Sequence, residues 1–354
     1  MHEAARKAFI AALVVVAVVV AAFALWELRL VIALLFLAFT VAAAMRPGVE
    51  ALRRRRIPRG VGIGIHYIAL AGIVGLLLWF VIPSAIDQID EAVPTSEAEL
   101  EREAAASTGV RERALREVQQ RLEELPSAEE LIDPAVEITV TAFEIAIGII
   151  FTLACAAYWI FERDRAQGLV LSLVPQRHRR VVGETWNLID LKLGAYVRGQ
   201  LLLVLLVATV LSVAFWIIGL PFWLLIGAFA GVVEVIPVIG PIVAGALAVA
   251  VGLTVSWQTA LAAGVIVTVV RLIEDYTVIP RVLGHAVGLT PLTVLVAVSA
   301  VAFLFGGFAV LLAIPLAAVL ATLVDVIVRN RDPAAEDVPT VIFPARESET
   351  TEVR

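Results

Sequence analysis

The sequence has little cysteine, little charge and none of the short motifs that mark nucleotide hydrolysis. Its 354 residues include one cysteine, Cys155, so an intrachain disulfide is excluded and a cysteine-based metal site is not expected. Charged residues make up 17% of the chain, against about 25% in soluble domains. The sequence contains no GxxxxGK[ST] loop, catalytic triad, zinc pair or dinucleotide-binding glycine set. We therefore expect no enzyme, no metal and no cofactor, and transport energy from an ion or solute gradient.

Apolar side chains are in excess. The chain is 61% hydrophobic, with a mean hydropathy of +0.96, whereas soluble domains are roughly 45–50% apolar. Several apolar runs reach the length of about 20 residues that a membrane-spanning helix needs. The composition predicts an all-α polytopic membrane protein with lipids as its surroundings. Because the net charge is −6, we do not expect nucleic acid as a partner.

Residues 1–83 contain the first three predicted spans. Ala8–Leu25 and Leu28–Met45 form a helical hairpin, and Val61–Ile82 forms the third span. Charged residues and a second apolar run follow the first run at once, which favours a retained span over a cleaved signal peptide. The segment 46–60 holds six arginines, so the positive-inside rule places it, and with it the N-terminus, in the cytoplasm.

Residues 84–134 form an acidic, polar insertion that one further crossing places outside the cytoplasm. Apolar residues recur at helical spacing between Val110 and Leu125, so we expect an amphipathic helix there. Its expected role is a solvated cap that packs on itself or on a neighbouring subunit.

Residues 135–195 are predicted to return the chain to the cytoplasm. Ala135–Phe161 is the fourth span, and residues 186–200 form an interfacial helix that leads into the fifth span, Val197–Gly219. The basic residues of this stretch are expected to set topology and contact lipid headgroups; they include Arg163, Arg165, Arg177, Arg179, Arg180 and Lys192.

Residues 196–330 are predicted to be a transport core of broken helices. The apolar block Phe222–Leu253 would be ~48 Å long as one helix, against a hydrocarbon core of ~30 Å. Pro237, Gly240 and Pro241 lie near its middle, and proline removes a backbone donor and disfavours helix before it. Two half-helices that meet at a tip fit this block better than one span.

The block Leu292–Val328 repeats this pattern, with Gly306 and Gly307 near its centre and Pro315 further on. Each block follows a single span, so we predict two span-plus-re-entrant-hairpin repeats of opposite orientation. In that arrangement the loop 280–291 is cytoplasmic, whereas two fully spanning blocks would place it outside; Arg281 favours the former. The C-terminus is cytoplasmic in both cases, and residues 331–354 are predicted to be a disordered tail.

Four ionisable residues stand in or beside the apolar runs of this core: Glu234, Arg271, Glu274 and Asp275. Arg271 shares a helix face with Glu274 and Asp275, which follow at i+3 and i+4. One charge at mid-bilayer costs ~2.5–3.5 kcal/mol on insertion scales, which pairing offsets in part. A structural ion pair and a proton-exchanging transport site both stay open, and two acids beside one arginine favour the second. Glu234, near the first hairpin tip, is a candidate for the transport pathway.

Six segments of the core resemble one known family in order and spacing. They are YVRGQ (196–200), GLP (219–221), IPVIGP (236–241), EDYTVIPRVLG (274–284), VGLTPL (287–292) and LAIPLAA (312–318). These motifs resemble the autoinducer-2 exporter (AI-2E) family, also called the PerM permease family. Residues that carry the likeness include Arg198, Gly199, Gln200, Pro280, Arg281, Gly284 and Pro291. The sequence departs from the common pattern at Thr290, where the family often has histidine, and at Ser299-Ala300, where it often has a glycine pair.

The resemblance implies a bacterial-type inner-membrane transporter with about eight hydrophobic segments. It also implies a homo-oligomer, for which a pentamer is one arrangement. We expect a secondary transporter that exports a small solute, by resemblance an autoinducer-2-like signal molecule. The alternatives are a sodium(lithium)/proton antiporter that uses the same acids, and a passive channel or oligomeric scaffold.

Overall fold

The computed structural model describes residues 2–92, 132–236, 239–282 and 290–336. The first half forms the long helices α1 (His2–Glu27), α2 (Arg29–Arg54), α3 (Arg59–Ala92), α4 (Ile132–Leu173) and α5 (Gln176–Ile217). The second half forms the shorter helices α6 (Trp223–Val233), α7 (Ile239–Val255), α8 (Trp257–Ile273), α9 (Ile279–Val282), α10 (Pro291–Phe305) and α11 (Ala313–Ile327). A π-helical turn, Glu274–Val278, joins α8 to α9, and a 3-10 helix, Gly307–Leu312, precedes α11. Within the described ranges all regular secondary structure is helical.

Six helical stretches in the described ranges are long and apolar enough to cross a bilayer. Five of them fall on α1 to α5, and the sixth, Gly307–Ile327, combines the 3-10 helix with α11. Helices α6, α7 and α10 are equally apolar but shorter. The apolar windows of α1 and α3 have no buried residues, which a water-soluble protein of this size could not tolerate. The expected class, an all-α polytopic membrane protein, is confirmed.

Two predicted boundaries differ from the structure because helix continues through them. Helix α2 runs through Pro47 to Arg54, so most of the arginine-rich segment is helical and the turn falls at residues 55–58. The predicted interfacial helix and the fifth span are one uninterrupted helix, α5, of 42 residues and therefore ~63 Å. A helix that long extends well beyond the hydrocarbon core, and its first half lies among polar side chains.

The C-terminal segment also differs from the predicted disordered tail at its beginning. Residues 331–336 form a turn in which the Ala334 amide donates to Asp332 Oδ1 and the Ala335 amide donates to the Asp332 carbonyl. Residues 337–354 lie outside the described residues, as do residues 93–131, which contain the predicted amphipathic helix of the insertion.

The first broken block folds as two short helices that pack on each other and on α5 and α8. Glycines allow this close approach: a Cβ on Gly227 would collide with Ser212 of α5, and one on Gly252 would lie 2.6 Å from the Ala260 Cα of α8. A buried apolar cluster fills the space between the four helices; it comprises Val207, Leu211, Phe215, Leu220, Ile226, Ala230, Ala244, Ala248 and Ala263. The two helices of the first broken block are therefore packed closely into a four-helix unit with α5 and α8.

The second broken block has a different junction. Helix α10 begins at Thr290, whose hydroxyl accepts a hydrogen bond from the Thr293 amide at 3.3 Å, and Pro291 occupies the first turn. It ends at Gly306, whose φ of 88° suits glycine alone. A Cβ on Gly306 or Gly307 would meet nothing within 4 Å. Pro315 lies in the first turn of α11, so it starts the second half and does not form the break.

Candidate functional site

The four ionisable residues of the core form one cluster around the guanidinium of Arg271. Arg271 Nη1 donates to Glu234 Oε1 at 2.7 Å and to Glu274 Oε2 at 3.3 Å. On its other side Arg271 Nη2 lies 2.9 Å from Asp275 Oδ1, and Nε donates to Asp275 Oδ2 at 3.2 Å. Three carboxylates therefore share one cation, which leaves two of them without a cationic partner of their own among these four residues.

Three elements bring the cluster together. Glu234 is the C-cap of α6, at the break of the first hairpin. Arg271 lies in the last turn of α8, where its charge faces the negative end of the helix dipole. Glu274 and Asp275 open the π-helical turn. Such turns recur at functional sites because the extra residue per turn displaces the following side chains around the helix.

The two glutamates are buried, and the outer part of the cluster is open. The side chain of Glu234 is 8% exposed and that of Glu274 is 3% exposed, whereas Arg271 is 28% and Asp275 is 41% exposed. Among the residues that the structure describes, Glu274 Oε1 has no hydrogen-bond partner. A buried carboxylate oxygen without a donor is costly, so this atom is the natural position for a proton, a water or a cation.

A small cavity lies beside the cluster, between α5, α6, α7 and α8. Its lining includes Glu234, Arg271, Glu274 and Pro241, together with apolar side chains of the four helices. Its volume is about 10 Å³, which is close to the minimum for a single water. The cavity beside the cluster therefore has room for about one water.

Residues 198–200 of the YVRGQ motif contribute to the site indirectly. Gln200 Nε2 donates to the Glu234 carbonyl at 3.2 Å, which supplies a partner to a backbone group freed by the helix break. Arg198, only 7% exposed, donates to the Ala44 carbonyl at 3.1 Å and so fastens α5 to α2. Gly199 is buried on α5 between them.

The other predicted residues are dispersed. Gly240 touches the backbone of Val233 so closely that a Cβ would collide with it, so it belongs to the hairpin tip. Pro280 and Arg281 both lie within α9 and are exposed, and Arg281 is not among the described ion pairs of the cluster. Pro237 and Gly284 lie outside the described residues.

One network of buried polar side chains is not predicted from the sequence. Asp190, 4% exposed, accepts a 2.6 Å hydrogen bond from Arg163 Nε and another of 2.6 Å from Arg46 Nη1. Arg163 Nη2 also donates to Asn187 Oδ1 at 2.6 Å. This network joins α2, α4 and α5. Arg163 is therefore a buried structural residue and not a lipid-headgroup contact, and the same correction applies to the buried Lys192.

No group of three or more His, Cys, Asp or Glu side chains within the described ranges is placed to hold a metal ion. The three carboxylates of the cluster face the guanidinium of Arg271 and not a common vacant point.

Broken apolar helices around a buried charged cluster define a membrane protein of the transport class, because charge and helix breaks at this depth belong to transport pathways. The family model of the AI-2E family transporters matches residues 12–329. The chain therefore belongs to the AI-2E transporter family, as the motif resemblance predicts.

Curated relatives carry names of the same class. "Putative transport protein MT0215" of Mycobacterium tuberculosis (strain CDC 1551 / Oshkosh) is 25% identical over 335 residues, which cover 89% of this chain and 88% of the relative. "Putative transport protein YrrI" of Bacillus subtilis (strain 168) is 29% identical over 174 residues, which cover 49% of each protein. "Putative transport protein YueF" of the same organism is 29% identical over 163 residues, 46% of this chain and 44% of the relative. The chain thus matches about half the length of the two Bacillus relatives.

Proposed function

We propose that this protein is a secondary transporter that exports a small solute, of the autoinducer-2 signal type, across the cytoplasmic membrane. The observation that carries the proposal is the sharing of Arg271 by three acids at the break of the first hairpin. Such a cluster can change its proton or ligand occupancy without losing all its ion pairs. Both termini are assigned to the cytoplasm, and the two broken blocks to re-entrant hairpins.

Proton coupling in this proposal depends on Glu234, Glu274 and Asp275. When Arg271 pairs with one acid, the remaining charge favours a proton or a cation at another, and Glu274 Oε1 is a carboxylate oxygen of the cluster without a donor among the described residues. A movement of α8 relative to α6 would redistribute the guanidinium among its acids and release or capture a proton. Alternating access would then couple this redistribution to widening of the cavity.

A second function is favoured by one specific observation, the size of the cavity. Because about 10 Å³ accommodates a water or a small ion only, sodium(lithium)/proton antiport by the same acids needs a smaller conformational change than export of an organic solute. A passive channel or an oligomeric scaffold has no corresponding observation in its favour.

The identity of the solute is tested by comparing exported metabolites and ion fluxes between cells with and without this protein.

Proton coupling is tested with purified protein that is reconstituted into vesicles containing a pH-sensitive dye. The lumenal pH is followed after an imposed sodium or pH gradient. Glu234→Gln and Asp275→Asn are expected to reduce proton flux at least about tenfold, since each removes a charged partner of Arg271. Glu162→Gln, which removes an exposed acid 3.7 Å from Arg165, is the matched control and should transport like the wild type. Unchanged flux and pH dependence in the two cluster variants would exclude proton coupling through these acids.

A further inference from the structure

A buried lysine in the N-terminal half of α5 binds the C-terminal segment of the chain. Lys192 Nζ donates to Glu336 Oε1 at 2.6 Å and to Thr322 Oγ1 at 3.1 Å. The Lys192 side chain is 7% exposed, and that of Glu336 is 30% exposed. Among the described residues Glu336 is the one acid paired with this ammonium, so the carboxylate of the tail compensates a charge that cannot be left alone at this depth.

The same lysine connects the tail to the second hairpin. Thr322, which is fully buried on α11, accepts from Lys192 and donates its own hydroxyl proton to the Ala318 carbonyl at 2.9 Å. One ammonium group therefore joins three parts of the chain: α5, α11 and the segment after α11. Displacement of α11 from α5 would break its bond to Lys192.

Contacts of the preceding residues position Glu336 beside Lys192. Arg331 donates to Asp325 on α11 at 3.2 Å, and Asp332 forms the turn that reverses the chain. Pro333 is buried, and Asp332 Oδ2 lies 3.6 Å from Arg180 Nη2 on α5. Both residues of this last pair are more than half exposed, so it contributes little. The buried contact at Glu336 is the one that fixes the segment.

The junction of the second hairpin is less tightly packed than that of the first. The first hairpin is fixed by glycine contacts to α5 and α8, whereas Gly306 and Gly307 between α10 and α11 have open space around them. A junction of that kind lets α11 change its angle to α10, and the lysine contact opposes such a change at the far end of α11.

We propose that residues 332–336 form an autoinhibitory latch: Glu336 binds Lys192, holds α11 against α5, and must leave Lys192 before the second hairpin can move. The regulatory role rests on the proposed transport function. The latch lies beside the N-terminal half of α5, whose basic residues the positive-inside rule assigns to the cytoplasmic side. Transport would then be increased by whatever cytoplasmic group competes for the tail or for Lys192.

The contact itself is tested on the full-length protein without a transport assay. A carbodiimide joins an amine and a carboxylate that touch, through an amide formed with loss of water, so the wild type should give a Lys192–Glu336 cross-linked peptide in mass spectrometry. In hydrogen exchange, Glu336→Gln should raise exchange of residues 331–336 and of the α11 peptide around Thr322 about tenfold or more, because a charged hydrogen bond is lost. Glu162→Gln, the control outside the latch, removes an exposed acid on α4 and should change the exchange less than about threefold. Absence of both the cross-link and the exchange difference would overturn the latch.

Regulation is tested in the dye-loaded vesicles described above. Glu336→Gln is expected to raise the initial proton flux about threefold or more. Glu162→Gln, which lies outside the latch, is expected to leave it unchanged. Equal flux in wild type and Glu336→Gln would overturn the latch and leave the transport function standing. Absence of flux in every protein, together with the expected cross-link, would overturn the transport function and the regulatory role with it.

Discussion

Arg271 Nη1 lies 2.7 Å from Glu234 Oε1, and this contact joins the end of α8 to the break of the first hairpin. The two residues are 37 positions apart in the chain. Glu274 and Asp275 bind the same guanidinium from the next turn along the chain. Arg271 thus connects a helix end, a π-helical turn and the break of the first hairpin. Its removal is the most informative single change in the core.

Arg271→Met should destabilise the protein by about 3 kcal/mol, at the low end for a broken buried ion pair because Arg271 is 28% exposed. The loss leaves three acids facing each other, so a second substitution, Glu234→Gln, should recover part of it. Thermal unfolding of the detergent-solubilised protein measures both variants. A double variant less stable than Arg271→Met would contradict the shared-cation description.

Asp190→Asn should cost about 3–5 kcal/mol, since it leaves the buried Arg163 without its carboxylate. Asp190 also binds Arg46, so the loss should loosen α2, α4 and α5 together. The control is Glu162→Gln, whose exposed pair with Arg165 contributes about 0–1 kcal/mol. The unfolding transitions of the two variants, measured in one detergent, should differ clearly; equal transitions would mean that the network does not hold the helices together.

Gly227→Ala should destabilise the first hairpin by about 1–3 kcal/mol, because the added methyl group collides with Ser212 and forces α6 away from α5. Gly72→Ala is the matched control on the exposed helix α3, where a Cβ meets nothing within 4 Å and helix propensity improves. Retention of monodisperse folded protein in size-exclusion chromatography, together with the unfolding temperature, measures the difference. Equal tolerance at the two positions would disprove the close approach.

Gly306→Ala should cost about 1–3 kcal/mol although the site is spacious, because its φ of 88° is strained for any residue with a Cβ. Gly307→Ala is the neighbouring control, since its backbone lacks that conformation and a Cβ has open space. Thermal unfolding separates backbone strain from packing here. If the two alanine variants lose the same stability, the break does not depend on the conformation of Gly306.

The breaks of both long apolar blocks were predictable because their causes are local. Prolines and glycines act on their own turn of backbone, so the divisions near Gly240 and at Gly306 could be read from the order of the residues. The continuous α5 and the helical extension of α2 were missed. Charge and hydropathy indicate where a chain meets the interface, but they do not interrupt a helix, and neither Trp186 nor Arg46 breaks one.

The sequence indicates which residues are candidates for the site, but it does not indicate how they are arranged. Arg271, Glu274 and Asp275 are neighbours on one helix face by helical geometry alone. The contact of Arg271 with Glu234 depends on how α6 packs beside α8. A pattern of neighbouring residues in the sequence does not reveal that packing. The basic stretch after the fourth span was wrongly interpreted for Arg163 and Lys192, because a charge that pairs inside the fold has the same sequence signature as one that faces lipid headgroups.

The sequence by itself determined that this is a polytopic helical membrane protein of the AI-2E transporter family, with two broken apolar blocks and ionisable residues among them. Hydropathy, backbone chemistry and motif order are properties of nearby residues, so they can be read from the sequence alone. Only the tertiary structure decided that one arginine serves three acids, that Asp190 joins three helices, and that Lys192 holds Glu336 from 144 positions away. These contacts exist because helices distant in sequence pack together, and each buried charge then has to find its partner on a neighbour.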